Sequence, residues 1–534
     1  MHPDFQGSDL RLRPPHESRV TTDFVTTDFV TSSILVTDQV RREYRVRLNA
    51  SIDCIRFILQ RGLAFRGHDE SEDSKDKGNF LELLQFLANH NESIKKFVLQ
   101  NAPENLKLTA PDIQKDIVNA AATETTNAII NEFGDSLFSI LIDESRDISI
   151  KEQMVVVLRY VDKRGYVIER FLCIVHVTET AAISLKAAVD EIFSKHGLSI
   201  TRLRGQGYDG ASNMQGEFNG LKMLIMKENE YAFYVHCFAH QLQLALIAVA
   251  KKHNRVGLFF TLVSNVVNVV GASCKRRDIL REKQADKVIE ALSSGELSNG
   301  QGLNQETSLK RAGDTRWGSH YDTLISLNVM FSAVIDVLEI IDKDGSRGEQ
   351  RIEANALLDS TQSFEFAFFL HLMKYILGIT NELSKALQRK EQDIVNAMAL
   401  NIAIPNMDDN RIFSNRSHGQ LQTYIMDMRS NSEFSDVKGI SGLAEKMVKT
   451  RKNILYPLIY LLVTLALILP VATATVERAF SAMKIIKNRL RNRMGDEWMN
   501  DCLVVYIEKD IFDSIENEAI IQRFQNMKTR RGQL

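Results

Sequence analysis

The sequence predicts an α/β core of element order βββαβαβ followed by a helix, interrupted by an all-helical insertion and flanked by helical N- and C-terminal regions. Three observations predict it. Leu137–Ile142, Met154–Val161 and Phe171–Val177 are short runs rich in Val, Ile and aromatics. Turn-like pieces such as Asp162-Lys163-Arg164-Gly165 separate them, which reads as successive antiparallel strands. From Val256 to about Leu400 the pattern is helical instead.

Residues 1–45 read as a disordered, atypical tract, polar and irregular to about Val40. The pentapeptide Thr-Thr-Asp-Phe-Val occurs twice in succession from Thr21, too short a repeat for a solenoid. The region 46–134 reads as helical. Ile52, Ile55, Ile58 and Leu59 share one helix face, and Phe80, Leu83, Leu84 and Leu87 another. The charged link Gly67–Gly78 separates them, and Ala110–Phe133 is a further helix.

The first part of the core is expected over 135–255. After the three strands, Ser184–Lys195 is a helix with Ser184 as N-cap. Leu198–Gly205 is a strand, Glu217–Glu230 a helix, Phe233–Val235 a short strand and His236–Lys252 a helix. This is the order of a ribonuclease-H-like domain. The helical insertion is expected over 256–450, with a loop or junction at Asn401–Gln420, where no apolar period survives. The region 451–534 would complete the core.

Composition bounds the function. Lys+Arg is 66 and Asp+Glu is 68, which excludes a uniformly basic nucleic-acid coat, so any such surface must be local. Five scattered cysteines without a CxxC pair read as neither a disulfide framework nor a zinc finger. No apolar leader opens the chain. Ile454–Val476 is uncharged and long enough to span a bilayer, but Pro457 and Pro470 interrupt it. A buried core helix is expected there, and no membrane partner.

Three acidic residues stand out. Asp143 ends a predicted strand, Asp209 lies in Gly207-Tyr208-Asp209-Gly210-Ala211-Ser212-Asn213-Met214, and Glu477 lies in Ala474-Thr475-Val476-Glu477-Arg478. Hard Mg²⁺ or Mn²⁺ takes carboxylates converging from separate elements, and two such ions can clamp a phosphodiester. Each acid also has a plainer reading: a turn cap for Asp143, an Asx turn for Asp209, a surface ion pair for Glu477. His236 and His240, spaced i and i+4 on the expected helix, flank Cys237, but with no second pair nearby zinc is not expected.

These motifs, with His236-Cys237-x-x-His240, Gly313-Asp314-Thr315-Arg316-Trp317 and Ala472–Ser481, come in the order found in the hAT transposases. The chain resembles that family over roughly Val46–Leu534. The subgroup it resembles is the plant TTF-type or MYM-type zinc-finger-like proteins with a hAT C-terminal dimerisation region.

The resemblance implies a core split by a helical insertion, with Asp143, Asp209 and Glu477 as the catalytic and Mg²⁺- or Mn²⁺-binding triad. It implies DNA as partner and dimerisation, or a higher homo-oligomer, through the helices after about Arg451. It implies that His240 meets a DNA phosphate or scissile end, and that Trp317 holds an unpaired base beside Arg316. Two departures are expected to matter: no zinc-binding region is seen in 1–40, and the insertion is shortened near 401–420.

Basic residues cluster at Lys275-Arg276-Arg277, at Lys484, Lys487, Arg489, Arg491 and Arg493, and at Lys528, Arg530 and Arg531. The second cluster is expected on one helix face next to Glu477, neutralising DNA phosphates. The third also fits a nuclear-import signal, so a nuclear location is expected. Leu503–Ile507 suits a core or a dimer surface. The function expected is that of a relic or domesticated DNA transposase. The alternative is a non-catalytic, dimeric, nucleic-acid-binding nuclear regulator.

Overall fold

The three apolar runs become the strands β1 (Phe138–Arg146), β2 (Glu152–Val161) and β3 (Val167–His176). With β4 (Leu203–Tyr208) and β5 (Phe233–His236) they form one sheet in the order β3-β2-β1-β4-β5. β1 pairs antiparallel with β2, and β2 with β3, whereas β4 runs parallel to β1 and β5 parallel to β4. In this computed structural model residues 25–71, 73–294, 308–313, 317–345, 347–389, 392–401 and 418–528 are described.

The sheet is covered on both faces, so β2 is buried at every position from Gln153 to Val161 rather than at alternate ones. One face packs Ile140, Ile142, Val156 and Leu158 against the helices Ala182–His196 and Leu221–Glu228. Against the sheet also lie Pro457–Ile468, Ala474–Ile486 and Asp496–Ile507, contributed from far downstream. The chain thus leaves the core after the helix Phe238–Lys252 and returns to it near residue 457.

Between those points lie helices with their own core, in which Val263, Val266, Leu324, Val334 and Leu338 are buried together. The junction expected at 401–420 falls almost wholly outside the described residues. Pro457–Ile468 is a core helix of 12 residues with Ile459, Val463 and Leu467 inward. Among the described residues no single helix is long and apolar enough to cross a membrane, and two bent helix pairs meet the length and composition test together.

Two expectations about local structure are corrected. The tract expected to be disordered is helical from Val25, as part of a helix running to Arg61. Ser184 is not an N-cap: its helix starts at Ala182 after an extended Ala181 and has no side-chain cap.

The chain divides into two compact units, 125–511 and a unit made of 1–124 with 512–534. In the second, Tyr44, Leu48, Ile52 and Ile55 are buried, as are Ile520 and Phe524 from the far end of the chain. Arg56 joins the two segments: its guanidinium lies 4.5 Å from the Phe512 ring centroid and donates to Asn517 Oδ1 at 2.7 Å.

Candidate active site

The parallel register of β1 and β4 sets Leu141 opposite Gly207. Two residues further along come Asp143, inside β1 rather than at its end, and Asp209, just past the end of β4, toward the carboxyl edge where open α/β sheets bind ligands. Each carboxylate also makes a local contact. Asp143 Oδ1 accepts from the Glu144 N–H at 2.9 Å, and Asp209 Oδ1 accepts from the Ala211 N–H at 3.1 Å, an Asx turn.

Glu477 reaches the same edge by a longer route. After Pro457–Ile468 the chain crosses β4, and Pro470 lies directly over Gly207, where an added Cβ would fall 2.6 Å from the Pro470 Cβ. The Phe238 N–H donates to the Val471 carbonyl at 2.9 Å. The helix Ala474–Ile486 then begins, with Glu477 in its first turn. Its start is held by a buried network: Arg159 on β2 donates to Glu169 on β3 at 2.5 Å and to the Leu467 carbonyl at 3.0 Å, while Thr475 donates to Glu169.

Asp143, Asp209 and Glu477 therefore line one cavity of about 730 Å³, with His240 also in its wall. His236 closes β5 rather than opening a helix, but its ring lies 5.9 Å from that of His240. An added Cβ at Gly210 would lie 2.7 Å from the His236 ring. Two of the motif glycines, Gly207 and Gly210, thus leave room for Pro470 and for a histidine ring. Cys237 is buried and accepts from the Thr473 hydroxyl at 3.6 Å; burial, its largest influence, pushes its thiol up.

Sequence reasoning missed other parts of this cavity. Glu144 lines it and accepts from Asn213 Nδ2 at 3.2 Å. Burial, then repulsion from Asp143 and Asp209, pushes its carboxyl up to about 7. Asp322, Thr380 and Ser384 form the opposite wall, from the helices Trp317–Val329 and Phe364–Leu387. The Glu144 signal lay in the acidic pair itself; for the insertion residues no sequence signal existed.

The donor types suit a hard divalent cation. Among the described residues, however, no three His, Cys, Asp or Glu side chains are drawn into a group that could hold a metal ion as it stands. The residues fit Mg²⁺ or Mn²⁺ in chemistry and shared location, without a preformed coordination shell.

The basic cluster after Glu477 requires correction. The helix ends at Ile486, so no single helix face carries it. Lys487 turns inward and pairs with Asp147 at 2.7 Å, both side chains essentially solvent-free, so it cannot meet a phosphate. Lys484, Arg489 and Arg493 are exposed, and Arg491 is half-buried. Arg316 lies outside the described residues, as do Arg530 and Arg531, and Trp317 is described only as the first residue of its helix. Leu503, Val504 and Val505 are buried within the chain, which removes them as a dimer surface.

Comparison with known proteins agrees with this organisation. Residues 26–220, which include Asp143 and Asp209, match the family described as the ZMYM1/FAM200 RNase-like domain. Residues 446–511, which include Glu477, match the hAT family C-terminal dimerisation region. The chain is 22% identical over 360 residues to the human 52 kDa repressor of the inhibitor of the protein kinase, covering 66% of this chain and 46% of that protein. To the mouse protein of the same name it is 22% identical over 371 residues, covering 68% of this chain and 47% of the relative. It thus spans about half the length of these curated relatives. Both are mammalian, and these matches do not single out the plant subgroup. With a match to an RNase-like domain followed by a match to a hAT dimerisation region, the chain is similar to hAT-transposase-derived proteins.

Proposed function

We propose that this is a nuclear, DNA-binding, self-associating protein whose acidic cavity is that of a metal-dependent DNA strand-cleaving and strand-transferring enzyme, kept in a relic or domesticated copy. The observation that carries this reading is the meeting of Asp143, Asp209 and Glu477 at one cavity from three separate elements. The strand order 3-2-1-4-5, with its two antiparallel and two parallel pairings, supports a ribonuclease-H-like core.

Asp143, Asp209 and Glu477 would hold Mg²⁺ or Mn²⁺, which when bound supplies charge stabilisation at the attacking and leaving oxygens of a phosphodiester. The chain's own part is placement. β1 and β4 fix two carboxylates side by side, the Arg159–Glu169 network fixes the helix that brings the third, and His240 faces the same space for a phosphate. Lys484, Arg489 and Arg493 remain as exposed cations beyond Glu477 for DNA backbone. The match to a dimerisation region supports self-association, and Ile454, Leu455, Leu458 and Leu461 within it are exposed.

A second reading, a non-catalytic nuclear regulator, is favoured by two observations. The carboxylates form no ready metal-binding group among the described residues, and the relatives are named as repressors. Calorimetry with Mn²⁺ in the presence of duplex DNA separates the two. Binding by the wild type that disappears in Asp143→Asn with Asp209→Asn, together with strand cleavage, supports the enzyme. DNA binding by both proteins with no Mn²⁺ uptake and no cleavage supports the regulator.

A further inference from the structure

We infer that the helical insertion carries a second, cationic site, separate from the acidic cavity, that takes a backbone phosphate of duplex DNA on Arg277, Arg281 and Arg311. A cavity of about 440 Å³ opens where the helix Asn254–Val270 turns into Cys274–Ser293 and the segment 308–313 runs past. Three arginines line it, and among the described residues none of its lining is acidic. Guanidinium groups stay charged at any pH a folded protein meets, so the pocket holds concentrated positive charge.

The site is built rather than incidental. Arg277 Nε donates to the Gly271 carbonyl at 3.0 Å, which fixes its fork at the end of the preceding helix. Its neighbour Arg276 turns the other way, to the Val269 carbonyl at 2.8 Å and to Gln350 at 2.9 Å. The run Lys275-Arg276-Arg277 is therefore split between scaffold and cavity. Arg281 pairs with Asp278, which is not part of the lining, while Leu280 and Met330 give the pocket an apolar floor. The held fork of Arg277, beside the exposed guanidinium groups of Arg281 and Arg311, suits a phosphate oxygen pair, which guanidinium groups bind bidentately.

Placement selects DNA among phosphate-bearing ligands, and this step rests on reading the acidic cavity as a DNA site. Lys310 approaches Asp322 at 3.6 Å, and Asp322 lines the acidic cavity. The next residue, Arg311, lines the cationic one. The helix Trp317–Val329 also spans both: Asp322 faces the acidic cavity and Met330, just past its end, faces the cationic one. That offset is about 12 Å of helix rise, or three to four base-pair steps at about 3.4 Å each. A duplex strand entering the acidic cavity can therefore set a nearby phosphate on the arginines.

The test is binding of a labelled DNA duplex by the full chain across a salt series, in EDTA so that metal plays no part. Arg277→Gln with Arg311→Gln should weaken binding by about tenfold or more and lower the slope of log affinity against log salt by about 1. Arg311→Lys should keep the slope. If the double variant fails to fold, Arg311→Gln decides alone, because its exposed side chain lies outside any helix or strand. Wild-type affinity and slope in the glutamine variants overturn the inference, as does a wild type that binds a phosphorylated peptide but no duplex. Failure of Mn²⁺ binding or cleavage would instead strike the acidic-cavity reading and leave this result standing.

Discussion

Lys487 carries the clearest consequence at the scale of one residue. Its ammonium meets Asp147 Oδ2, while the same carboxylate accepts backbone N–H bonds from Ser149 at 2.7 Å and Lys151 at 3.1 Å. Burial alone would push the Asp147 carboxyl up, but the bonds from Lys487 and the two N–H groups outweigh it and hold it below its usual value. Lys487→Met strands a buried carboxylate and should cost about 3–5 kcal/mol at neutral pH, measured by urea unfolding. Because Asp147 has a depressed folded pKa, its contribution is full above the unfolded carboxylate pKa and is lost as pH falls through the folded one. The stability gap between wild type and variant should accordingly narrow in acid; a gap unchanged from neutral pH down to acid would show that the pair is not ionic. A contact with DNA phosphate predicts instead a loss of DNA affinity with stability intact.

Elements decide where Glu477 stands. The linker from Pro457–Ile468 to Ala474–Ile486 crosses β4 where Gly205 and Gly207 present no side chain to Pro470. Gly207→Ala should cost about 1–3 kcal/mol by overpacking, and pairing it with Pro470→Gly should recover part of that loss in a double-mutant cycle. Additive costs would mean that the two do not meet. Glu169→Gln acts from the other side, by weakening the hold on Arg159 and Thr475. It should lower Mn²⁺ affinity in the DNA complex without removing any cavity carboxylate, whereas Asp143→Asn removes one outright. The strands and the apolar core helix were legible in the sequence because short β-branched runs and an uncharged stretch broken by prolines leave few alternatives. The acids were legible as motifs, but their meeting depends on the β1–β4 register and on a crossing at which two glycines of β4 meet one proline. The basic run was misread because charge spacing says nothing about where a helix ends. A signal existed in Asn488, whose side chain caps the next turn by accepting from the Leu490 N–H.

For the whole molecule the open quantity is its assembly, and two groups of apolar residues in the matched dimerisation region behave oppositely. Val505 is wholly buried beside Leu503 and Val504, on a helix packed against β3. Val505→Asp should therefore unfold the domain, and any loss of dimer would follow from that. Ile454 and Leu455 are 72% and 60% exposed, so little of either is engaged within the chain. Aspartate at both should change stability by no more than about 0.5 kcal/mol. If this face joins two copies, the change desolvates charge at the centre of an apolar contact and should convert a dimer to a monomer in light scattering after gel filtration. A variant that keeps the wild-type dimer mass and melting temperature would move the interface elsewhere in 446–511. There Leu461, 41% exposed, and Ile485, 49% exposed, are the next residues to substitute. The dimer also bears on DNA. If the chain binds DNA as proposed, two copies held together would present two acidic cavities and two arginine pockets to one duplex, and the monomeric variant should lose DNA affinity beyond the loss of either pocket alone. Equal affinity in monomer and dimer would show that each copy binds DNA independently.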